Sequence, residues 1–488
     1  MISKPRHLHI AALLFFLFDT IKQMVIPFAA GLFGATSSDD DVLMIWIVVV
    51  LVLFIIAITV LKFIFFTYQI LDDEIIVKYG VFVKKVNHVP YERIQNITTN
   101  QWFFLKPFNL EELEIETAGH SDKPEVQLKA VPITLKDEIN HHRRNESVKL
   151  KTSEVNENVQ EKPDKITENI GNTYTISWRD LVKFALTSPA FLTGIVVVLA
   201  AYGKIQNGIS QTLYKNIAQQ ASHIGVLIII GILVAILLVF YIGSVIALII
   251  QYYHFKLTEK DGQFITERGL LRTRKTTIKM DRVQAVMLKQ PLLRSFLKIV
   301  TVQLVIISNS KKGDSEKDII VMPVIAQRDV NKFLKQFFPK IPAEQVSAFS
   351  PDHRTFFYDL RNATYFALVT VVLTIGFLHS ITWLWVTLVI AELLFWYTPA
   401  YFSAKRSKVE VVTDDFLVIR NNKVLTNQVF FIPRSSVQFI EKRQSIWLKH
   451  KDMSSLNVNV RSGATQKKIK VNYQNDSDIE QIVNWYKH

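Results

Sequence analysis

Six stretches of the chain are apolar over lengths that suit a bilayer crossing, which takes about 20 mostly apolar residues in a row. They run roughly over residues 8–33, 42–66, 182–202, 224–250, 363–378 and 381–402. The stretches come as three close pairs, and a long polar segment follows each pair. This pattern predicts three transmembrane helical hairpins, each carrying a soluble domain, and so a threefold repeat. Lys4 and Arg6 ahead of the first run resemble a secretory leader, but Asp19 and Lys22 interrupt the run and no A-x-A site follows. The run is therefore read as a retained span.

Within each soluble segment, short runs of alternating apolar and polar residues predict strands, and a capped helix closes the segment. Thr134 opens T-L-K-D before a helix over 137–144, Asp329 precedes one over 330–338, and Ser477 opens S-D-I-E before one over 479–488. The copies share a register. Ile94-Gln95, Val283-Gln284 and Val437-Gln438 are each followed by a second glutamine, Gln101, Gln290 and Gln444, so that offsets of 189 and 154 hold at both landmarks. The same offsets match Phe104 with Leu293 and Trp447, Leu110 with Ile299 and Met453, and Gly80 with Gly269. The third copy has Lys423 beside Asn421-Asn422 at the last position. Glycine and asparagine both suit a turn with positive φ.

The first copy carries the pattern Tyr68 to Asp73, Gly80, Val89-Pro90, Arg93-Ile94-Gln95, Gln101, and Pro107-Phe108-Asn109-Leu110 leading to Thr117-Ala118-Gly119. The second keeps Gly269, Ile278, Arg282-Val283-Gln284 and Gln290. The third keeps Ile432-Pro433, Val437-Gln438 and Gln444 but has Ser436 where Arg93 stands. On these residues the chain resembles the bacterial pleckstrin-homology-like (PH-like) membrane proteins of the YdbS/YdbT type, and its three copies make it most similar to the larger, three-domain YdbT-type members. The resemblance implies a small β-sandwich with a C-terminal helix in each copy. The expected fold class is membrane α-helical hairpins plus α+β, with six transmembrane helices in three pairs. Hairpins are expected over 1–66, 179–250 and 361–402, PH-like domains over 67–145, 251–341 and 403–488, and linkers over 146–178 and 342–360. Residues 145–175 have almost no apolar periodicity and read as flexible, whereas Phe356-Phe357-Tyr358 in the second linker read as interfacial. By resemblance, a partner is expected in a smaller membrane protein of the same family with one hairpin and one domain. A role in envelope stress or in resistance to bacteriocins and other antimicrobial peptides is implied in the same way.

Composition agrees with a membrane protein, at 49% hydrophobic and 20% charged residues. The chain has no cysteine, which excludes disulfides, CxxC redox centres, thiolate zinc sites, iron–sulfur clusters and thiol nucleophiles. His7, His9, His120, His141 and His142 show no metal spacing shared with carboxylates. G-x-S-x-G, Walker A and H-E-x-x-H motifs are missing, so no enzyme and no cofactor are expected.

Residues 67–180 hold 15 Lys/Arg and 19 Asp/Glu, residues 251–360 hold 19 and 11, and residues 403–488 hold 15 and 8, out of 57 and 43 overall. Basic side chains thus lie overwhelmingly on one face, and the positive-inside rule predicts cytoplasmic domains and cytoplasmic termini at the cell membrane. The net charge of +14 sits on domains tied to a bilayer, so anionic lipid is expected as its counterpart and nucleic acid is not.

Three sets of residues are candidates for function. Arg268, Arg272, Arg274, Lys275 and Lys279 cluster around the first turn of the second domain, where they suit anionic lipid headgroups or merely a solvated basic face. The first domain's net −4, against +8 and +7 in the others, argues against a lipid site common to all three. Gln95, Gln101, Gln284, Gln290, Gln438 and Gln444 suit strand-end hydrogen bonding, a structural role. Asp19, Lys22 and Glu392 lie within apolar runs, where ionisable groups are costly. Asp19 and Lys22 are spaced to pair with each other, and Glu392 suits a Ser, Thr or backbone partner on a neighbouring helix. The expected function is a noncatalytic membrane scaffold or adaptor, and the alternative is a transporter or efflux component using those three residues.

Overall fold

The computed structural model describes residues 4–35, 41–117, 124–142, 172–188, 226–260, 262–306, 318–344, 353–378, 382–462 and 465–487. The linker up to residue 171, the third apolar stretch beyond residue 188, and Ala118, Gly119, His379 and Ser380 lie outside them. Five helices of 24–27 residues lie on the apolar runs: α1 (Ala12–Ala35), α2 (Asp41–Ile64), α5 (Val226–Tyr252), α7 (His353–Leu378) and α8 (Thr382–Arg406). At 1.5 Å per residue, each exceeds the roughly 30 Å of a hydrocarbon core. Helix α1 packs on α2, and α7 on α8, as hairpins should.

Among the described residues, two stretches are both long and apolar enough to cross a membrane, Val234–Tyr252 and Trp385–Arg406, while the apolar part of α2 is shorter, Val48–Ile64. Six spans are thus not reproduced. Asp19 and Lys22 interrupt α1, and the first three turns of α7, from His353 to Asn362, are polar or aromatic apart from Leu360.

The chain divides into two compact units: Met1–Gly171 with Lys260–Lys279 and Ser308–Ser315, and Asn172–Glu259 with Met280–Ile307 and Glu316–His488. In the first unit, one antiparallel sheet runs β1 (Arg6–His7), β2 (Thr67–Ile70), β3 (Glu74–Tyr79), β4 (Lys85–Pro90). A second sheet there places β7 (Val126–Pro132), β6 (Leu110–Thr117), β5 (Ile94–Trp102), β11 (Arg272–Lys279) and β10 (Gln263–Arg268) side by side. Alternate residues of these strands, such as Ile75, Val77, Leu113 and Ile115, bury with Leu135 and Ile139 of α3 (134–142) and with Ala12 and Phe16 of α1. The start of the first span helix therefore belongs to a soluble core.

In the second unit, α4 (Trp178–Leu186) packs on α5, and the short strands β8 (Thr173–Thr175) and β9 (Lys256–Lys260) pair. A six-stranded sheet runs β14 (Asp318–Ala326), β13 (Ile299–Ile306), β12 (Val283–Pro291), β17 (Thr426–Pro433), β16 (Phe416–Lys423), β15 (Lys408–Thr413). A three-stranded sheet follows with β18 (Val437–Arg443), β19 (Met453–Ser462) and β20 (Thr465–Asn475). Helix α6 (Val330–Phe337) stands at its predicted position, whereas α3 and α9 (Asp476–Lys487) each begin three residues before their expected starts, so that Thr134 and Ser477 lie within the helices they were expected to cap. Asp329 occupies the N-cap of α6 without a side-chain cap hydrogen bond.

The sheets do not stop at the boundaries between copies. In the first unit, β5 of copy one pairs with β11 of copy two from Ile97–Thr277 to Trp102–Arg272. In the second unit, β12 of copy two pairs with β17 of copy three from Val286–Phe431 to Pro291–Thr426. Moving the first joint by the offsets 189 and 154 reproduces the second residue for residue.

The backbone repeats as closely. Asn109, Lys298 and Asp452, equivalent under those offsets, are all left-handed, with φ of 53°, 52° and 51°. Gly80 and Gly269 share φ of 112° and 111°. A Cβ at Gly80 would lie 2.0 Å from the Val83 carbonyl oxygen, so this turn excludes any side chain. The third copy meets the same turn with Val424 at φ 57°, an unfavourable place for a β-branched residue.

Candidate functional site

The basic residues around the second domain's first turn lie on β10 and β11, inside the joint with copy one. Arg272 reaches Glu112 at 3.6 Å and Glu114 at 3.8 Å, and its guanidinium lies 5.0 Å from the centre of the Trp102 ring. Trp102 Nε1 and Gln127 Nε2 also donate to Glu112, at 3.5 and 2.9 Å. Lys275 pairs with Glu267 at 4.0 Å, and Arg268 is buried. The acid excess of the first domain is thereby explained in part, because β6 supplies carboxylates to the strand it receives. Burial pushes the Glu111 carboxyl up to about 7 and lowers Lys136, which stands near it. Glu114 is raised by burial and by Glu112.

Three of the six repeated glutamines make one bond three times. Gln101 Nε2 donates to the Leu110 carbonyl at 3.3 Å, Gln290 to Ile299 at 3.2 Å and Gln444 to Met453 at 3.2 Å. Each bond closes the loop that follows β5, β12 or β18. Gln284 and Gln438 share the other landmark. The Gln438 carbonyl accepts from Tyr486 Oη at 2.8 Å, and the side chain of Gln95 lies outside the described residues.

The ionisable residues of the apolar runs do not converge. Asp19 pairs with Lys129 on β7 and not with Lys22, which is exposed. That contact sets Asp19 beside the soluble domain and away from the middle of a bilayer. Thr374 Oγ1 on α7 donates to Glu392 Oε1 on α8, while Glu392 Oε2 is enclosed without a partner. Trp396 Nε1 donates to Thr370 Oγ1 at 3.1 Å, a second polar tie between the same helices.

A cavity of about 820 Å³ in the second unit opens among the β16–β17 hairpin, β20 and the ends of α7 and α8. Lys289, Lys423, Lys467, Lys468 and Lys470 line it, with Asp359 as its carboxylate. Asn421 and Asn422 donate their Nδ2 hydrogens to the carbonyls of Lys470 and Val424 at 3.3 and 2.6 Å, and their Oδ1 atoms are enclosed without partners. Cationic donors beside free acceptors suit an anion that also bears hydroxyl or N–H groups. Sequence reading missed this site because its lysines come from three separated segments. The run Lys467-Lys468-Ile469-Lys470 was the visible signal. Among the described residues no group of His, Asp and Glu is arranged to hold a metal ion.

The threefold repeat has a counterpart among known proteins. Residues 15–146, 196–337 and 362–488 each match the bacterial PH domain. The chain belongs to the bacterial PH domain family. Each match to the family begins within or at the edge of an apolar run of the sequence and ends with a soluble segment, so the repeating element is apolar sequence together with the domain that follows it. Over its whole length the chain is similar to the UPF0699 transmembrane protein YdbT of Bacillus subtilis (strain 168), at 25% identity across 517 aligned residues covering 100% of this chain and 99% of that protein. No solved structure matches.

Proposed function

We propose that this PH-domain protein is a noncatalytic integral-membrane scaffold that holds three PH-like domains at the cytoplasmic face and extends its chain of sheets onto a partner through β18. The observation that carries this reading is the joint. Second-half strands β5 and β12 each receive a first-half strand from the next copy, whereas their equivalent in copy three, β18, has β19 on one edge and no strand on the other among the described residues. An open edge is a template for strand addition.

Charge argues against a second copy of the same chain as the occupant. The strand equivalent to β11 in copy one is β4, and the register of the joints would put Lys85 opposite Arg443. Like charges directly opposite destabilise a pair. A smaller family member with a single PH-like domain is the partner that the family resemblance suggests, and the same resemblance extends the proposal to a role in envelope stress or bacteriocin resistance. Photo-cross-linking from Phe439 in living cells tests it. The expected adduct is a PH-like membrane protein, and adducts no different from those formed at Val424, away from β18, would overturn the assignment. Orientation is tested by single cysteines. Those at positions 37 and 207 should react with an impermeant reagent from outside intact cells, and those at 153, 310 and 462 should not.

The transporter alternative keeps less support. Asp19 is engaged with Lys129 of the first domain, and Glu392 has a threonine partner on the neighbouring helix.

A further inference from the structure

In each copy, the loop that the repeated glutamine closes leaves large apolar side chains uncovered. Phe103 and Phe108 are exposed in the first loop. Phe296 (74% exposed) and Leu297 stand out in the second, and Ile446 (77%) and Trp447 (82%) in the third. Single exposed apolar residues are ordinary, but recurrent groups of them mark an interaction surface. The sequences of the loops differ, and only their apolar character and register are shared.

Each loop is pinned beside a helix end. In the first unit, the ring of His9, three residues before α1, lies 5.9 Å from that of Phe108, and Phe15 of α1 packs on Phe104 at 5.6 Å. In the second unit, Arg406, the last residue of α8, donates to Ser295 Oγ at 3.2 Å. Buried Arg294 of the same loop donates to Thr187 Oγ1 at 3.1 Å and lies over Phe184, whose ring meets Tyr252 at the end of α5 at 4.9 Å. Arg354, near the start of α7, donates to the Lys451 carbonyl of the third loop at 3.2 Å. The helices beside the first and third loops also carry exposed apolar side chains close to those ends, Leu14 on α1 and Phe357 on α7. Lysines follow the apolar tips in every loop, at Lys106, Lys298 and Lys449, as suits a boundary between acyl chains and phosphates.

We propose that the three loops insert into the headgroup boundary of the bilayer that the hairpins cross, acting as interfacial anchors that hold each domain flat against the membrane. This rests on the reading that the hairpins span. The occupant is lipid, because each loop is tied to the end of a helix whose farther turns carry exposed apolar side chains, such as Phe18 on α1, Val239 on α5, Phe366 on α7 and Phe395 on α8.

The absence of cysteine makes a direct test straightforward. Single cysteines replacing Phe103, Phe296 or Trp447 in the full chain are spin-labelled and reconstituted in vesicles of phosphatidylglycerol and phosphatidylethanolamine. Leu238 in α5 and Lys332 on the exposed face of α6 serve as references for bilayer core and water. Collisions with oxygen and with a nickel chelate are then compared. All three loop labels should meet the chelate several-fold less often than the label at position 332, and oxygen more often. A loop label that matches position 332 while position 238 reads as bilayer core would overturn the threefold anchor and leave the spanning reading intact. A water-like reading at position 238 would overturn the spanning reading and the anchors with it.

Discussion

If the sheets are shared between copies, the second PH-like domain cut out as residues 251–341 should not fold alone. The excision removes β5 from the edge of β11 and β17 from the edge of β12, and with them six ladder positions at each joint. It also opens a core. Ala285, Met287 and Val305 of copy two are at most 1% exposed and belong to the same cluster as Leu417, Ile419, Phe430 and Ile432 of copy three. At about 1.5–3 kcal/mol for each large side chain returned to water, and less for alanine, the loss comes to roughly 5 kcal/mol before any unpaired backbone is counted. A domain's whole net stability is about 5–15 kcal/mol. The fragment should therefore show a collapsed amide spectrum and associate through its bared edges, as measured by two-dimensional NMR and sedimentation. A monomeric 251–341 fragment with full amide dispersion and a cooperative unfolding transition would refute the idea that the joints are part of the fold.

Further tests need only point changes. The Glu111 carboxyl is raised from 4.5 to about 7 by burial, so its contribution to stability is fully present below about pH 4.5 and lost as pH rises through about 7. Glu111→Gln should flatten thermal stability across that window and stabilise the protein at pH 8, by on the order of 2 kcal/mol once solvent screening is allowed for; identical pH profiles would count against a buried carboxyl. Val424 sits exposed at φ 57°, so Val424→Gly should raise the melting temperature by relieving left-handed strain of about 1 kcal/mol, and a lower melting temperature would contradict this. Glu392→Gln keeps a group able to accept from Thr374, so expression should survive, and under the proposed role so should peptide resistance; a well-expressed but inactive variant would favour proton-linked transport.

The copies and their register were legible because repeated landmarks and period-2 alternation write themselves into sequence, whereas apolar run length suggested six spans and only two stretches among the described residues are long and apolar enough. Even the joints were implicit in the offsets 189 and 154, once one joint was known. What alternation does not specify is an edge. It assigns Thr98 and Thr276 to faces of a sheet, but nothing in either residue says that they lie opposite each other. The left-handed position was hidden in the second copy, because Lys298 fills it there, whereas Asn109 and Asp452 are residues that tolerate such a backbone. Asp19 seemed a neighbour for Lys22 because helical spacing was the only distance available, whereas its partner Lys129 lies 110 residues away on a strand. The lysine-lined cavity escaped for the same reason, since Lys289, Lys423 and Lys470 meet only in the folded chain.

Two joints of identical register raise the question of what keeps the copies in order, since β11 and β17 are geometrically interchangeable. Side chains supply the answer. In the native first joint Arg274 stands opposite Asn100, with Arg272 directed at Glu112 and Glu114. In the native second joint Lys289 stands opposite Gln428, and Met287 lies opposite Phe430 in a shared core. If β11 docked on β12 instead, the common register would bring Arg274 opposite Lys289, and Arg272 would lose both carboxylates. If β17 docked on β5, Phe430 would face Thr98 and Glu112 would lose its arginine. Each wrong pairing loses a favourable contact, and the first also adds a repulsion, which is how specificity between similar partners is ordinarily secured. By the same logic Arg443 on β18, which the register of the joints would set opposite Lys85, disfavours this chain's own β4 as the strand that completes the proposed series.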